Sequence, residues 1–336
     1  MILTSITIIL AVAFLLYTLL GGADFGAGII ETFAGEKQEK TISRAIAPVW
    51  EANHVWLILA VVILFTAFPA VYASIALVLH IPLMIVLIGI IFRGTAFTFR
   101  HYDVIDDNTH QYYTILFRVS SFLTPVFLGI TLGAMMLGRI TFDTNAGFYA
   151  MFIAPWLNVF CIVMGIFSIC LFGYISAVFL VGETGNDRER RKYAMFAKQF
   201  MIASMIIGIL VFVSAEFSGH PLTKEFLKAR FSITMLVLVL LLCPFIWVFL
   251  KRKNNKTIYL RIAIGMQVTA VLAGWFTIQF PVLIHVQNGV HLTLYNTRAP
   301  DKTLEQLLIA LLVGLVLIVP AFAYLFRVFK IREFES

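Results

Sequence analysis

Apolar residues run along this chain in long, nearly unbroken stretches, such as Ile2–Leu20 and Phe231–Leu250, separated by short polar segments. The alternating segments of ~10 residues that a membrane barrel requires are absent from the pattern. About 20 apolar residues at 1.5 Å each cross a hydrocarbon core about 30 Å thick. On that measure the pattern predicts nine spans, at residues 3–30, 50–70, 74–97, 114–138, 149–181, 198–217, 230–250, 258–280 and 304–328. Pro48 precedes the second span and Pro69 ends it. Pro82, Pro125, Pro155, Pro244 and Pro320 fall inside others, where membrane helices tolerate kinks. The expected fold is all-α: a polytopic membrane protein forming a single integral membrane domain over residues 1–336.

Composition narrows the function classes. The 336 residues are 61% hydrophobic and 13% charged, with a mean hydropathy of +0.95. Soluble domains carry about 45–50% apolar and about 25% charged residues, so a cytosolic globular enzyme is excluded, and so is a disordered chain. The net charge of +7 reads as the positive-inside bias of cytoplasmic loops rather than as a nucleic-acid surface. With nine spans, nineteen of the 25 Lys and Arg residues fall on the C-terminal side of the membrane. That split predicts an N-terminus outside and a C-terminus in the cytoplasm. The first apolar run has no basic leader or A-x-A site and is too long for a signal peptide, so it reads as a retained span. Cys161, Cys170 and Cys243 sit in apolar runs without metal-ligand spacing and read as small hydrophobic fillers.

The informative charges are those inside or at the edge of spans, where a charged group costs about 2.5–3.5 kcal/mol on insertion scales. Three regions hold them. In the first, Gly21-Gly22-Ala23-Asp24-Phe25-Gly26-Ala27-Gly28, Gly22 and Gly26 form a close-packing GxxxG pair. Gly21, Asp24, Gly28 and Glu31 share one helix face, with Glu31 about 10 Å from Asp24 along the axis. The second region, Pro48-Val49-Trp50-Glu51-Ala52-Asn53-His54-Val55-Trp56, places Glu51 and His54 at i, i+3. Trp50 and Trp56 read as membrane-interface anchors. The third contains Arg93 and Arg100, and Arg93 is deep enough to pair with Asp24 or Glu51. All three regions lie toward the predicted cytoplasmic leaflet. Asp24, Glu51, His54 and Glu31 are the candidates for a proton route, supported by Asn53, Arg93 and Arg100. His80 reads as a packing residue, while His285 and His291 fall in the longest outer loop. No HExxH, CxxC, Walker or dinucleotide motif occurs.

These three regions resemble subunit II of the cytochrome bd-type quinol oxidases; the cyanide-insensitive type is a variant of the same match. Gly22-Ala23-Asp24-Phe25-Gly26-Ala27-Gly28 is similar to the family's opening box, Trp50 to Trp56 to its Trp-acid-x-Asn-x-Val-Trp box, and Arg93 to Arg100 to its third. Pro281 and Leu292 to Asn296 resemble its outer segment. The resemblance implies nine helices in two four-helix bundles plus a peripheral helix. It implies a non-haem subunit that stabilises a haem-bearing subunit I, with haem b558, haem b595 and haem d in that partner, and that contributes a cytoplasmic proton route. A small single-helix subunit, a structural quinone or lipid, and a bacterial cytoplasmic membrane location also belong to that picture. The chain departs from the family at Gly21 and Thr98, where many members carry acids, and Glu51 replaces a commoner Asp. His54 is not an expected haem ligand.

Two rival readings remain open at this level. Intramembrane acids, a histidine and kinked helices also suit a proton-coupled secondary transporter, although no matching pair of broken helices is present. A purely structural scaffold would need none of the acids for turnover.

Overall fold

The computed structural model describes residues 1–35, 38–102, 109–143, 145–251 and 257–335. Lys37, Arg252, Lys253 and Lys256, part of the charge split above, lie outside the described residues. In chain order the elements are α1 (Ile2–Ala34), α2 (Glu39–Ala67), α3 (Pro69–Val78), α4 (His80–Tyr102), α5 (Thr109–Leu137), α6 (Gly147–Phe152), α7 (Val159–Val181), α8 (Asp187–Phe217), α9 (Leu222–Lys228), α10 (Arg230–Lys251), α11 (Thr257–Gln279), β1 (Val282–Ile284), β2 (Leu292–Thr293) and α12 (Asp301–Glu335). Among the described residues nine helices are long and apolar enough to cross a membrane: α1, α2, α4, α5, α7, α8, α10, α11 and α12. Helices predominate because they satisfy every backbone N–H and C=O locally, as lipid demands.

Three boundaries differ from the hydropathy reading. α2 starts at Glu39, so Pro48 lies inside the helix rather than before it. Its first turns are amphipathic: Ile42, Ala45, Ile46 and Val49 are buried at i, i+3, i+4 and i+7, a pattern that averaging over a window conceals. The stretch at 74–97 divides at Leu79 into α3 and α4, with Pro82 in the first turn of α4, where a missing N–H costs least. The stretch at 149–181 contains α6, then a turn holding Pro155, then α7. Asn158 caps α7, its side chain accepting from the Cys161 N–H at 3.0 Å and satisfying one orphan donor.

Helices α1, α2, α4 and α5 form one bundle, and α7, α8, α10 and α11 a second. α1 and α5 both pack on α7, joining the bundles, while α12 lies outside against α2 and α1. The buried apolar residues are layered by depth rather than divided by bundle. One layer runs through Ile6, Ile63, Ala134, Phe160 and Leu304. The other runs through Ile29, Ile46, Ala177, Ala197 and Ile264. The joint between bundles is tight because a Cβ on Gly26 would fall 2.0 Å from the Phe172 carbonyl oxygen on α7. At the end of the molecule remote from Glu31, β1 and β2 pair antiparallel. The segment after α11 is tied down by His285 N–H to Met135 O at 3.0 Å, Gln287 N–H to Ile140 O at 2.8 Å and Ala299 N–H to Ala67 O at 2.8 Å.

Candidate functional site

The first bundle encloses two charged groupings, one above the other. The deeper one centres on Asp24, which is 0% exposed, beside Arg93 at 1% and Asn53 at 0%. Arg93 Nη1 lies 2.7 Å from Asp24 Oδ1. Its Nη2 donates to the Asp24 backbone carbonyl, and its Nε donates to Ser121 Oγ at 3.2 Å. Asn53 Nδ2 donates to Asp24 Oδ2 at 3.4 Å. The Arg93 guanidinium sits over the rings of Phe25 and Phe117, 4.9 and 4.7 Å from their centroids, contacts that stabilise a desolvated cation. One carboxylate and one guanidinium leave this grouping formally neutral, which is what allows it to be buried.

Close helix approach makes the pair possible. A Cβ at Gly21 would stand 3.1 Å from Asn53 Oδ1, and one at Gly28 would stand 2.1 Å from Ser121 Oγ. Glycine at both positions brings α2 and α5 within reach of the α1 backbone on either side of Asp24.

The second grouping lies seven residues, or about 10 Å, further along α1. Glu31 is 0% exposed and receives a two-pronged contact from Arg100, Nη1 to Oε1 at 3.1 Å and Nη2 to Oε2 at 3.0 Å. Arg118 Nε adds a third donor to Oε1 at 3.1 Å. Arg100 also reaches Ser43 Oγ at 3.1 Å and, through Nε, Glu39 Oε1 at 3.2 Å. Planar bidentate pairing of this kind is the strong form of ion pair. Two acids and two arginines again sum to zero.

Arg93 therefore pairs with Asp24 and not with Glu51, and the stripe Gly21, Asp24, Gly28, Glu31 faces the bundle interior. Glu51 is exposed on α2, and His54 is half-buried one turn away. Among the described residues Glu51 has no ion-pair partner. His54 feels the charges of both Asp24 and Arg93, and its ring meets Trp50 edge-on at 6.0 Å.

The tryptophans correct an expectation. Trp56 is 7% exposed and packs on Phe322 of α12, while Trp50 leans on Phe97. Trp56 thus fills a helix joint instead of lying open at a membrane surface, whereas Trp50 stays half-buried. The reading of residues missed Arg118, Ser121, Glu39, Ser43 and Tyr17. Arg118 carried a usable signal, being a charge inside the apolar run 114–138; the hydroxyls carried none. His80 behaves as expected for packing, with Nδ1 2.8 Å from the Leu77 carbonyl. The three cysteines are buried and unpaired.

Fold and site together define an integral membrane subunit that holds paired charge inside one of two helix bundles. The chain belongs to the cytochrome bd terminal oxidase subunit II family, whose model matches residues 3–329. It is thus a subunit of a terminal oxidase, and the family match sets aside the carrier reading. It is 26% identical over 330 residues to cytochrome bd ubiquinol oxidase subunit 2 of Bacillus subtilis (strain 168), covering 97% of this chain and 95% of that protein. Against cytochrome bd-I ubiquinol oxidase subunit 2 of Escherichia coli (strain K12) it is 24% identical over 226 residues, covering 62% of this chain and 59% of that protein. In fold it matches a chain of the bd oxidase structure from Geobacillus thermodenitrificans, with a TM-score of 0.80, 20% identity and 98% of each chain covered.

Proposed function

We propose that this chain is the haem-free subunit of a membrane-bound quinol:oxygen oxidoreductase, stabilising a haem-bearing subunit I and carrying protons from the cytoplasm toward the oxygen-reducing site. The observation that carries the reading is Asp24, a carboxylate fully buried inside the first bundle, with His54 near enough on α2 to feel its charge and Glu51 exposed one turn away on the same helix. The excess of basic residues at the Glu31 end supports placing that end in the cytoplasm.

Glu51 also points to the partner. An ionisable side chain exposed at a membrane helix surface is costly against lipid. The face of α2 bearing Glu51, His54, Ile58 and Phe65 is therefore the face that subunit I covers. There Glu51 receives protons at the joint between subunits, His54 passes them on near neutral pH, and Asp24 holds them inside the bundle. Arg93 keeps Asp24 in place and prevents an uncompensated buried charge. Glu31, clamped by Arg100 and Arg118, serves as an electrostatic anchor for the cytoplasmic ends of α1, α4 and α5.

Among the described residues no group of three or more His, Cys, Asp or Glu side chains can hold a metal ion. His54 lies level with Asp24, whereas His80 is thirteen residues before Arg93 on α4, about 20 Å away. The family resemblance assigns the haems to subunit I.

Turnover of the tagged, purified complex tests the reading. Glu51→Gln is expected to leave the haem absorbance spectrum and subunit stoichiometry unchanged while slowing quinol-driven oxygen uptake on the order of tenfold to a hundredfold. Normal turnover in the assembled variant sinks the proton route. A colourless single chain on purification removes the partner assignment as well.

A further inference from the structure

Tyr17 lies on α1 seven residues before Asp24, on the same helix face and one step further from the Glu31 end. It is 5% exposed, yet among the described residues its hydroxyl has no hydrogen-bond partner. A buried hydroxyl left unpaired costs on the order of 1–3 kcal/mol by protein mutational measures, so such groups in native proteins are met by water or ligand. The hydroxyl is also close enough to Asp24 and Arg93 to feel both charges.

A second unpaired atom lies nearby. Asn53 donates to Asp24 through Nδ2, but among the described residues its Oδ1 accepts from no protein group. Asn53 Oδ1 faces the α1 backbone at Gly21, which sits on the Tyr17 face between Tyr17 and Asp24. Glycine leaves that strip of α1 without a side chain. Tyr17, Trp56 and Ala60 belong to one buried apolar cluster. A hydroxyl that can donate and accept, an amide oxygen that can accept and a carboxylate that can accept thus line one side of the α1–α2 joint.

We infer that ordered water bridges the Tyr17 hydroxyl to Asp24 and Asn53, and that Tyr17 is the relay residue that carries a proton beyond Asp24. The proton balance is simple. The phenol oxygen accepts a proton from the water on the Asp24 side as its own proton passes to a water on the far side. Tyr17 is neutral before and after, so no phenolate need form inside the membrane. Arg93 disfavours a free hydronium at this depth, which favours concerted transfer through a neutral hydroxyl.

This inference rests on the proton route proposed above, and the test separates the two. Tyr17→Phe keeps the ring and its packing and removes only the hydroxyl. In the intact complex, proton uptake following a pulse of oxygen is read with a pH-indicator dye, alongside oxygen uptake in H2O and D2O. Tyr17→Phe is expected to keep the haem spectrum and thermal stability and to slow proton uptake about tenfold, a smaller loss than that of a full acid–base group because water partly replaces the hydroxyl. The solvent isotope effect should rise with it. If Glu51→Gln slows uptake and Tyr17→Phe does not, the route stands and Tyr17 has no part in it. If neither slows uptake, the route itself fails and takes Tyr17 with it. Loss of assembly in Tyr17→Phe with normal turnover per haem would make the hydroxyl a structural group and overturn the relay.

Discussion

At Asp24 and Arg93 each residue is buried only because the other is there. Removing one member of a buried pair is expected to cost about 3–5 kcal/mol, because an uncompensated charge remains in a medium that solvates it poorly. Asp24→Ala should therefore reduce the yield of assembled complex sharply. The double variant Asp24→Asn with Arg93→Gln should recover much of that yield without recovering turnover, as measured by haem content against oxygen uptake. Equal loss of yield in the single and double variants would show that the pair is not a unit. The membership of this pair was half legible in the chain. A charge within an apolar run signals that a partner exists, and it singled out both Asp24 and Arg93. Which of Asp24 or Glu51 takes Arg93 depends on how α4 is rotated against α1. That rotation is set through α5, on which α4 packs at contacts such as Gly89 against Thr124 and which meets α1 where Gly28 lies against Ser121, and no single-chain pattern specifies either contact.

Among elements, the segment between α11 and α12 is the part whose stability should depend most on pH. His285 is held between His291 and His220, with ring centroids 4.9 and 5.8 Å away, and His220 Nε2 lies 3.5 Å from Glu225. Burial, then the neighbouring His291 and His220, lower the His285 pKa from 6.5 to about 4. The folded segment thus binds fewer protons than the unfolded one between those values. Its stabilisation is fully present above pH 6.5 and is lost as pH falls toward 4. The protection factors of the His285 and Gln287 amides, with the intrinsic rate divided out, should be lower at pH 5 than at pH 7. His285→Gln should abolish that difference; its persistence would assign the effect to another group. The sequence placed His285 and His291 in an outer loop, but their meeting with His220 arises from the return of the chain over the end of α5. The starts of α2 and α7 depart from the hydropathy pattern for a related reason. Mean hydropathy sees apolar content, whereas an amphipathic turn and an Asn158 cap are events of position.

Across the whole molecule the joint between bundles depends on α1 lying against α7. Gly26 permits it, since any Cβ there would collide with the Phe172 carbonyl. Gly26→Ala is expected to destabilise the chain by about 1–3 kcal/mol through overpacking, read as a lower midpoint for thermal loss of the haem spectrum in the purified complex. An unchanged midpoint would mean that the joint is looser than its geometry indicates. The exposed apolar side chains of the outer helix faces, among them Ile58, Phe65, Leu241 and Leu317, need no internal partner, because lipid or a neighbouring subunit solvates them.

The amino-acid sequence alone determined that the chain is helical, crosses the membrane about nine times and carries charge where charge is expensive. Those properties follow from the length and composition of each segment, and the bilayer imposes them locally. Three ordered motifs also placed it near its family before any packing was known. Tertiary structure alone decided that Asp24 takes Arg93, that Glu31 is clamped by Arg100 and Arg118, that Trp56 is core, and that the Tyr17 hydroxyl is buried without a hydrogen-bond partner among the described residues. These are contacts between segments far apart in the chain, and they depend on helix rotation and depth. Those in turn come from close approaches at a few small residues rather than from any periodicity along the sequence.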